Sequence, residues 1–171
     1  GFGASVSVDG ERVLAGAPGT AVAGQLDAGA AYTFQFDGGN AVQLVSPTPQ
    51  AGGAFGQAVA AANGLAGPDT IVLANGATYD ISTSGELDIE DDLNIQTRAG
   101  AQATINAFGA DRVMTILGGV TATVVNIRIT GGISSEGGGV SNWGTFNAFN
   151  SSIDDNEAVS DGGGIYNAAS S

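Results

Sequence analysis

The sequence predicts an all-β protein in which a parallel β-solenoid follows a small antiparallel sheet. Three observations lead to this prediction. Short β-prone runs alternate with turn residues along a chain that contains 29 glycines. An approximate repeat of 24 or 25 residues is present after residue 110. The pattern of motifs also changes near residue 55. This change divides the chain into two predicted units, residues 1–53 and 54–171.

The first predicted unit reads as four antiparallel strands at residues 4–8, 12–15, 30–36 and 41–45. The dipeptide Asp9-Gly10 supplies a hairpin turn between the first two strands, because glycine tolerates a positive φ angle. The second unit opens with an alanine-rich stretch that predicts a short helix at residues 54–62, covering the open first turn of the solenoid. Brief β-prone runs follow, at residues 70–73, 79–81, 87–89, 93–95, 104–105 and 113–117.

The repeat predicts which residues stack in neighbouring solenoid turns. An offset of 24 residues pairs Ile116 with Val140, Thr121 with Thr145, Val125 with Phe149, Asn126 with Asn150, and Ile129 with Ile153. An offset of 25 superimposes the Gly-Gly-Gly runs at residues 137–139 and 162–164, which indicates a recurring corner. Stacked strands lie about 4.8 Å apart, so we expect aliphatic ladders inside and an amide ladder at Asn126 and Asn150. Phe149 should then pack inward.

Two family resemblances accompany these patterns. Residues 1–50 resemble an FG-GAP repeat, the blade of integrin-type β-propellers, through Phe2-Gly3, Gly16-Ala17-Pro18 and residues 29–34. Many such blades carry an Asp-rich calcium loop, where this chain has only Asp9-Gly10-Glu11. The rest of the chain, residues 57–171, resembles bacterial right-handed β-helix surface proteins with polymorphic-outer-membrane-protein-like repeats. The residues that carry this second resemblance are 57–63, 67–73, 76–79, 87–89, 92–95, 127–132 and 162–167.

The second resemblance implies a right-handed parallel β-helix in a secreted or cell-surface bacterial protein. We therefore expect a non-catalytic, adhesin-like or structural segment of a longer protein, whose loops contact a cell-surface protein or a carbohydrate. The formal net charge of −13 repels phosphates, so no nucleic acid partner is expected. No apolar run is long enough to cross a bilayer, so no transmembrane segment is predicted.

The densest group of acidic residues is a candidate metal site. Asp88, Glu90 and Asp92 would share one face of an extended strand, and carboxylate oxygens are the ligands that Ca²⁺ prefers. The spacing lacks the glycine of a calcium loop, so the alternative is a solvated acidic face. The same two readings apply to a second acidic group at residues 154–161.

The alternative function is that of a carbohydrate-active enzyme, because polysaccharide lyases and hydrolases also use parallel β-helices. The chain has no histidine and no cysteine, which excludes a Ser-His-Asp triad and a cysteine nucleophile. The repeats do not place Arg98, Arg112 or Arg128 beside an acidic group, so each is predicted to lie at the surface or in an ion pair. We expect no catalysis in this segment. If the protein is a carbohydrate-active enzyme, its active site lies outside this segment. The role of Trp143 is left open.

Overall fold

A computed structural model describes the strands at residues 5–9, 12–17, 30–37 and 41–45, together with residues 52–97 and 100–168. The first four strands are β1 (Ser5–Asp9), β2 (Arg12–Ala17), β3 (Ala30–Asp37) and β4 (Ala41–Val45). They pair in order as antiparallel neighbours, as the alternating sequence predicts. Strand β4 then pairs in parallel with β5 (Asp69–Leu73), so that one sheet continues into the solenoid.

The predicted helix is present as α1 (Gly52–Asn63). Its apolar side lies over the first solenoid turn, where Phe55 and Val59 are 3% and 2% exposed. The Phe55 ring contacts the Tyr79 ring with a centroid distance of 5.4 Å. The helix therefore closes the end of the hydrophobic interior, and the expectation of a capping helix is confirmed.

After the helix, the chain forms about four turns of a right-handed parallel β-helix, as predicted. We call the turns coils 1 to 4 and the three faces sheets A, B and C. Each coil contributes one strand to each sheet, and all neighbours within the solenoid are parallel. Sheet A contains β5, β8 (Leu93–Thr97), β11 (Thr121–Val125) and β15 (Thr145–Phe149).

Sheet B contains β6 (Thr78–Asp80), β9 (Ala103–Asn106), β12 (Ile127–Thr130) and β16 (Ser152–Asp154). Sheet C contains β7 (Leu87–Ile89), β10 (Met114–Ile116), β14 (Val140–Asn142) and β18 (Ile165–Asn167). Coils 3 and 4 add a fourth pair, β13 (Ile133–Glu136) with β17 (Glu157–Asp161), between sheets B and C.

The interior is a set of stacked aliphatic side chains. On sheet B, Ile105 lies beside Ile129, which lies beside Ile153, so the 24-residue offset predicted there is confirmed. On sheet A, the offset is also confirmed for Thr121 and Thr145. The predicted glycine corner is confirmed as well, because Gly137 and Gly162 both adopt a positive φ angle, of 60° and 64°.

The predicted pairing of Ile116 with Val140 is wrong by two residues. Val140 lies beside Met114, and Ile116 lies beside Asn142. The reason is the length of the connection from sheet B to sheet C. It spans 140 − 129 = 11 positions in coil 3, against 114 − 105 = 9 in coil 2, because coil 3 includes β13.

The inward orientation predicted for Phe149 is also wrong. Phe149 does lie beside Val125, as the repeat predicts. However, Ala122 and Val124 are the residues of β11 that enter the core, and alternation along the strand turns Val125 outward. Phe149 is accordingly 58% exposed, while Phe146, which lies beside Ala122, packs against the core.

Candidate functional site

An acidic groove lies between helix α1 and strand β7. Its volume is about 580 Å³, and three carboxylates line it, those of Glu86, Asp88 and Glu90. Strand β7 places Asp88 there because Leu87 and Ile89 are buried on either side of it, which turns the intervening side chain outward. The groove thus brings together two of the three residues predicted to bind calcium.

The last residue of the helix holds one wall of the groove in place. The Asn63 side-chain amide donates to the Asp88 carbonyl at 2.7 Å, and the Glu90 N–H donates to Asn63 Oδ1 at 3.0 Å. Strand β7 is the edge of sheet C, so its outer backbone groups have no strand to pair with in the described part of the chain. The amide of Asn63 supplies the donor and acceptor that a neighbouring peptide group would otherwise provide.

The third predicted calcium ligand, Asp92, lies outside the groove. Its Oδ1 atom accepts from the Thr121 N–H in coil 3 at 2.7 Å, and Asp91 Oδ1 accepts from the Asp92 N–H at 2.8 Å. Strand β7 ends at Ile89 and the chain then turns toward sheet A, so residues 88–92 do not form one extended face. Among the described residues, no three acidic side chains are grouped closely enough to hold a metal ion. Calcium at Asp88, Glu90 and Asp92 stays a prediction.

Arg112 connects three successive coils. Its Nη1 atom donates to Glu86 Oε2 in coil 1 at 2.8 Å and to Thr115 Oγ1 in coil 2 at 2.9 Å. Its Nη2 atom donates to Ser134 Oγ in coil 3 at 2.8 Å, and its Nε atom donates to the Gly137 carbonyl at 3.0 Å. The side chain is only 17% exposed. All of these contacts use the fixed, forked geometry of a guanidinium group.

Arg128 forms a second, more exposed ion pair. It contacts the carboxylates of Asp154 and Asp155 in coil 4. The hydrogen bond from Arg128 holds the pKa of Asp154 below its usual range, and the same bond raises the pKa of Arg128. The repeats did not place Arg112 or Arg128 beside an acidic group, and this is wrong for both, because Arg112 contacts Glu86 and Arg128 contacts Asp154. The ion-pair alternative is confirmed for both residues. Arg98 lies outside the described residues.

Amide ladders run along two corners of the solenoid. The Asn150 amide donates to Asn126 Oδ1 at 2.8 Å, which confirms the predicted ladder, and the Asn126 amide continues it to Thr97. On sheet C, the Asn142 amide donates to Asn167 Oδ1 at 2.6 Å. These side chains are satisfied by one another, so they serve coil-to-coil stacking.

Trp143 is an exposed aromatic residue, with 54% of its surface accessible. Its indole N–H donates to Ser141 Oγ at 3.1 Å. Its ring meets the Tyr166 ring edge-on, with centroids 6.5 Å apart. These two contacts orient the indole ring on the side of sheet C.

The sequence carried a signal for both ion pairs that the repeat analysis missed. Glu86 and Arg112 are 112 − 86 = 26 residues apart, and Arg128 and Asp154 are 154 − 128 = 26 apart. That spacing is close to one coil, so opposite charges at this distance fall on the same face. Searching for opposite charges within two residues of the repeat length would have found both.

Comparison with known proteins adds no relative. No family model, no curated protein and no solved structure matches this chain. Within the described residues, no helix has both the length and the apolar character needed to cross a membrane.

Proposed function

We propose that this chain is a non-catalytic, structural segment of a secreted or cell-surface bacterial protein. In this proposal, the β-solenoid is a rigid spacer that presents its faces to a cell-surface protein or a carbohydrate, as adhesin stalks do. The observation that carries the proposal is that the polar side chains link one coil to the next. Arg112, Arg128, Asn126 and Asn142 all bind groups in neighbouring coils.

The electrostatics of the Arg128 ion pair make Asp154 unsuited to the role of a general acid. A glycoside hydrolase needs one carboxyl group with a raised pKa, so that it can donate a proton to the leaving group. The pKa of Asp154 is instead lowered beside Arg128, which keeps this carboxylate ionised. An ionised carboxylate held by a guanidinium is suited to an ion pair between coils.

The bacterial surface location rests on the sequence resemblances. Two resemblances support this part of the proposal. They are the FG-GAP-like motifs at residues 1–50 and the polymorphic-outer-membrane-protein-like repeats at residues 57–171. The stacked geometry of coils 1 to 4 is compatible with such repeats. The net charge of −13 opposes self-association of this segment, because it keeps neighbouring molecules apart.

The test is product release from neutral and acidic polysaccharides, with and without Ca²⁺, followed by absorbance and by new reducing ends. We expect no product from any of them. Turnover that disappears in Asp154→Ala and Asp155→Ala, and persists in the control Asp80→Ala, would overturn the proposal and establish a carbohydrate-active enzyme. Asp80 is a suitable control because it is an exposed carboxylate on the same sheet, in coil 1.

A further inference from the structure

The corner that follows sheet B places a residue with a positive φ angle in coils 2, 3 and 4. The first such residue after the strand is Phe108 at 50°, Gly131 at 70° and Asp155 at 53°, in that order of coils. Glycine lacks a Cβ atom and aspartate tolerates this left-handed conformation, whereas a bulky aromatic residue adopts it only at a cost in free energy. Coil 2 therefore carries phenylalanine at a corner where a smaller residue would be less strained.

Burial does not compensate for this strain, because Phe108 is 59% exposed. Its N–H donates to Asn106 Oδ1 at 2.7 Å, and the Gly109 N–H donates to the Gly131 carbonyl in coil 3 at 2.7 Å. These bonds fix the backbone that carries the ring. Backbone strain collects at sites that bind a partner, and an aromatic ring on a fixed backbone loses little conformational freedom when it is covered. Phe108 is therefore better suited to contact a partner than to support the core.

Ile133 adds a second exposed apolar side chain beside this loop. It is the first residue of β13, the strand that lengthens coil 3, and it is 43% exposed. A Cβ atom at Gly109 would lie 3.4 Å from Ile133 Cδ1, so the isoleucine side chain lies next to the residue that follows Phe108. We call Phe108 and Ile133 the apolar pair. Its two members come from successive coils.

Carboxylates accompany the apolar pair on both neighbouring coils. Asp111 belongs to the loop of coil 2, and its carbonyl accepts from the Ile133 N–H at 3.0 Å. Glu157 of coil 4 lies beside Ile133 in the register of β13 and β17. Both acidic residues are exposed, and neither forms an ion pair within the described residues. The adjacent cation, Arg112, pairs with Glu86 instead. This surface therefore combines apolar side chains with negative charge that no described cation neutralises.

We propose that this surface binds a linear segment of a partner protein in which lysine or arginine residues flank aliphatic ones. The inference rests on the structural role proposed above and names the partner class that it serves. Aliphatic side chains of the segment pack on the apolar pair, and its cationic groups pair with Asp111 and Glu157. Charge complementarity selects this occupant. A neutral glycan would leave both carboxylates without a counter-charge, and an anionic membrane surface would be repelled by them.

The test is fluorescence polarisation of the full chain with a labelled peptide of sequence Lys-Lys-Leu-Val-Leu-Lys-Lys. Its three apolar residues extend over about 10 Å, the distance that three stacked coils span. The matched peptide Lys-Lys-Ser-Thr-Ser-Lys-Lys has the same charge and no large aliphatic side chain. We expect the first peptide to bind about tenfold more tightly. Equal affinities would overturn the inference, because attraction to the net charge of −13 alone acts on both peptides alike.

The variant Phe108→Asn locates the surface and separates binding from folding. Asparagine tolerates a positive φ angle, so this variant should melt at or above the Tm of the unaltered protein. It lacks the ring, so the preference for the aliphatic peptide should disappear. The matched control is Phe149→Asn, which removes a ring of similar exposure, 58%, from sheet A and should keep the preference. Circular dichroism verifies that both variants are folded.

The outcomes keep the two proposals apart. A preference that survives in Phe108→Asn, or that is lost equally in Phe149→Asn, overturns the assignment to this surface. Equal affinity of the unaltered protein for the two peptides, together with no product release from polysaccharides, removes the cationic partner and leaves the structural role standing. Product release from a polysaccharide instead removes the structural role.

Discussion

Replacing Arg112 by alanine should destabilise the solenoid more than replacing Arg128 by alanine. The side chain is 17% exposed and contacts coils 1, 2 and 3 at once. In the alanine variant, Glu86 Oε2 keeps the hydrogen bond that the Thr115 hydroxyl donates to it at 3.0 Å and loses the one from Arg112. The substitution also removes the donor that faces the Gly137 carbonyl.

The size of the effect follows from this loss. A hydrogen bond to a charged group contributes about 1.5–3 kcal/mol, and removing one partner of a buried ion pair costs about 3–5 kcal/mol. Glu86 is 29% exposed, so water offsets part of that cost. We therefore expect a loss of about 3 kcal/mol in the free energy of unfolding. For a domain of this size, each kcal/mol lowers Tm by about 2–4 °C.

Urea unfolding followed by circular dichroism measures the loss, and Arg128→Ala is the matched control. Both variants remove one positive charge, but Arg128 is 38% exposed and pairs with Asp155, whose side chain is 80% exposed. Exposed ion pairs contribute about 0–1 kcal/mol, so Arg128→Ala should unfold near the unaltered protein. Arg112→Lys should fall between, because an ammonium cannot reach all three coils together. Equal losses for the two alanine variants would refute this reasoning.

Three further predictions concern the stack and its charges. Ile129→Asp buries an unpaired carboxylate in the sheet B ladder and should abolish cooperative melting, so an unchanged thermal transition would contradict the assigned core. Gly138→Ala should destabilise strongly, because its Cβ atom would lie 2.1 Å from a backbone oxygen of coil 4, whereas Gly118→Ala, with 3.7 Å of clearance, should stabilise or change Tm little. The folded-state pKa of Asp154 is lowered, so its pairing with Arg128 stabilises the fold above the unfolded-state pKa and is lost as pH falls through the folded value. NMR titration should show this pKa rising toward its ordinary value in Arg128→Ala, and a constant pKa would argue against the pair.

The sequence by itself determined the elements and their order. Strand β4 matches its predicted bounds, and β1 to β3 match within two residues, because hairpin turns and alternating side chains are local signals. The capping helix was predictable because an alanine-rich stretch is also a local signal. The stacking of Ile129 on Ile153 and of Asn126 on Asn150 was also predictable, since a repeat places identical residues at identical positions.

Only the tertiary structure decided the exact register of sheet C and the surroundings of the acidic residues. The two additional residues between β12 and β14 shift Val140 from Ile116 to Met114, and a fixed offset cannot anticipate a change of connection length. Asp88 and Glu90 line a groove, while Asp92 binds the backbone of coil 3, because the chain turns after Ile89. Local sequence sets which residues alternate along a strand; the lengths of the connections between sheets set which side chains meet, and those lengths take effect only when the coils stack.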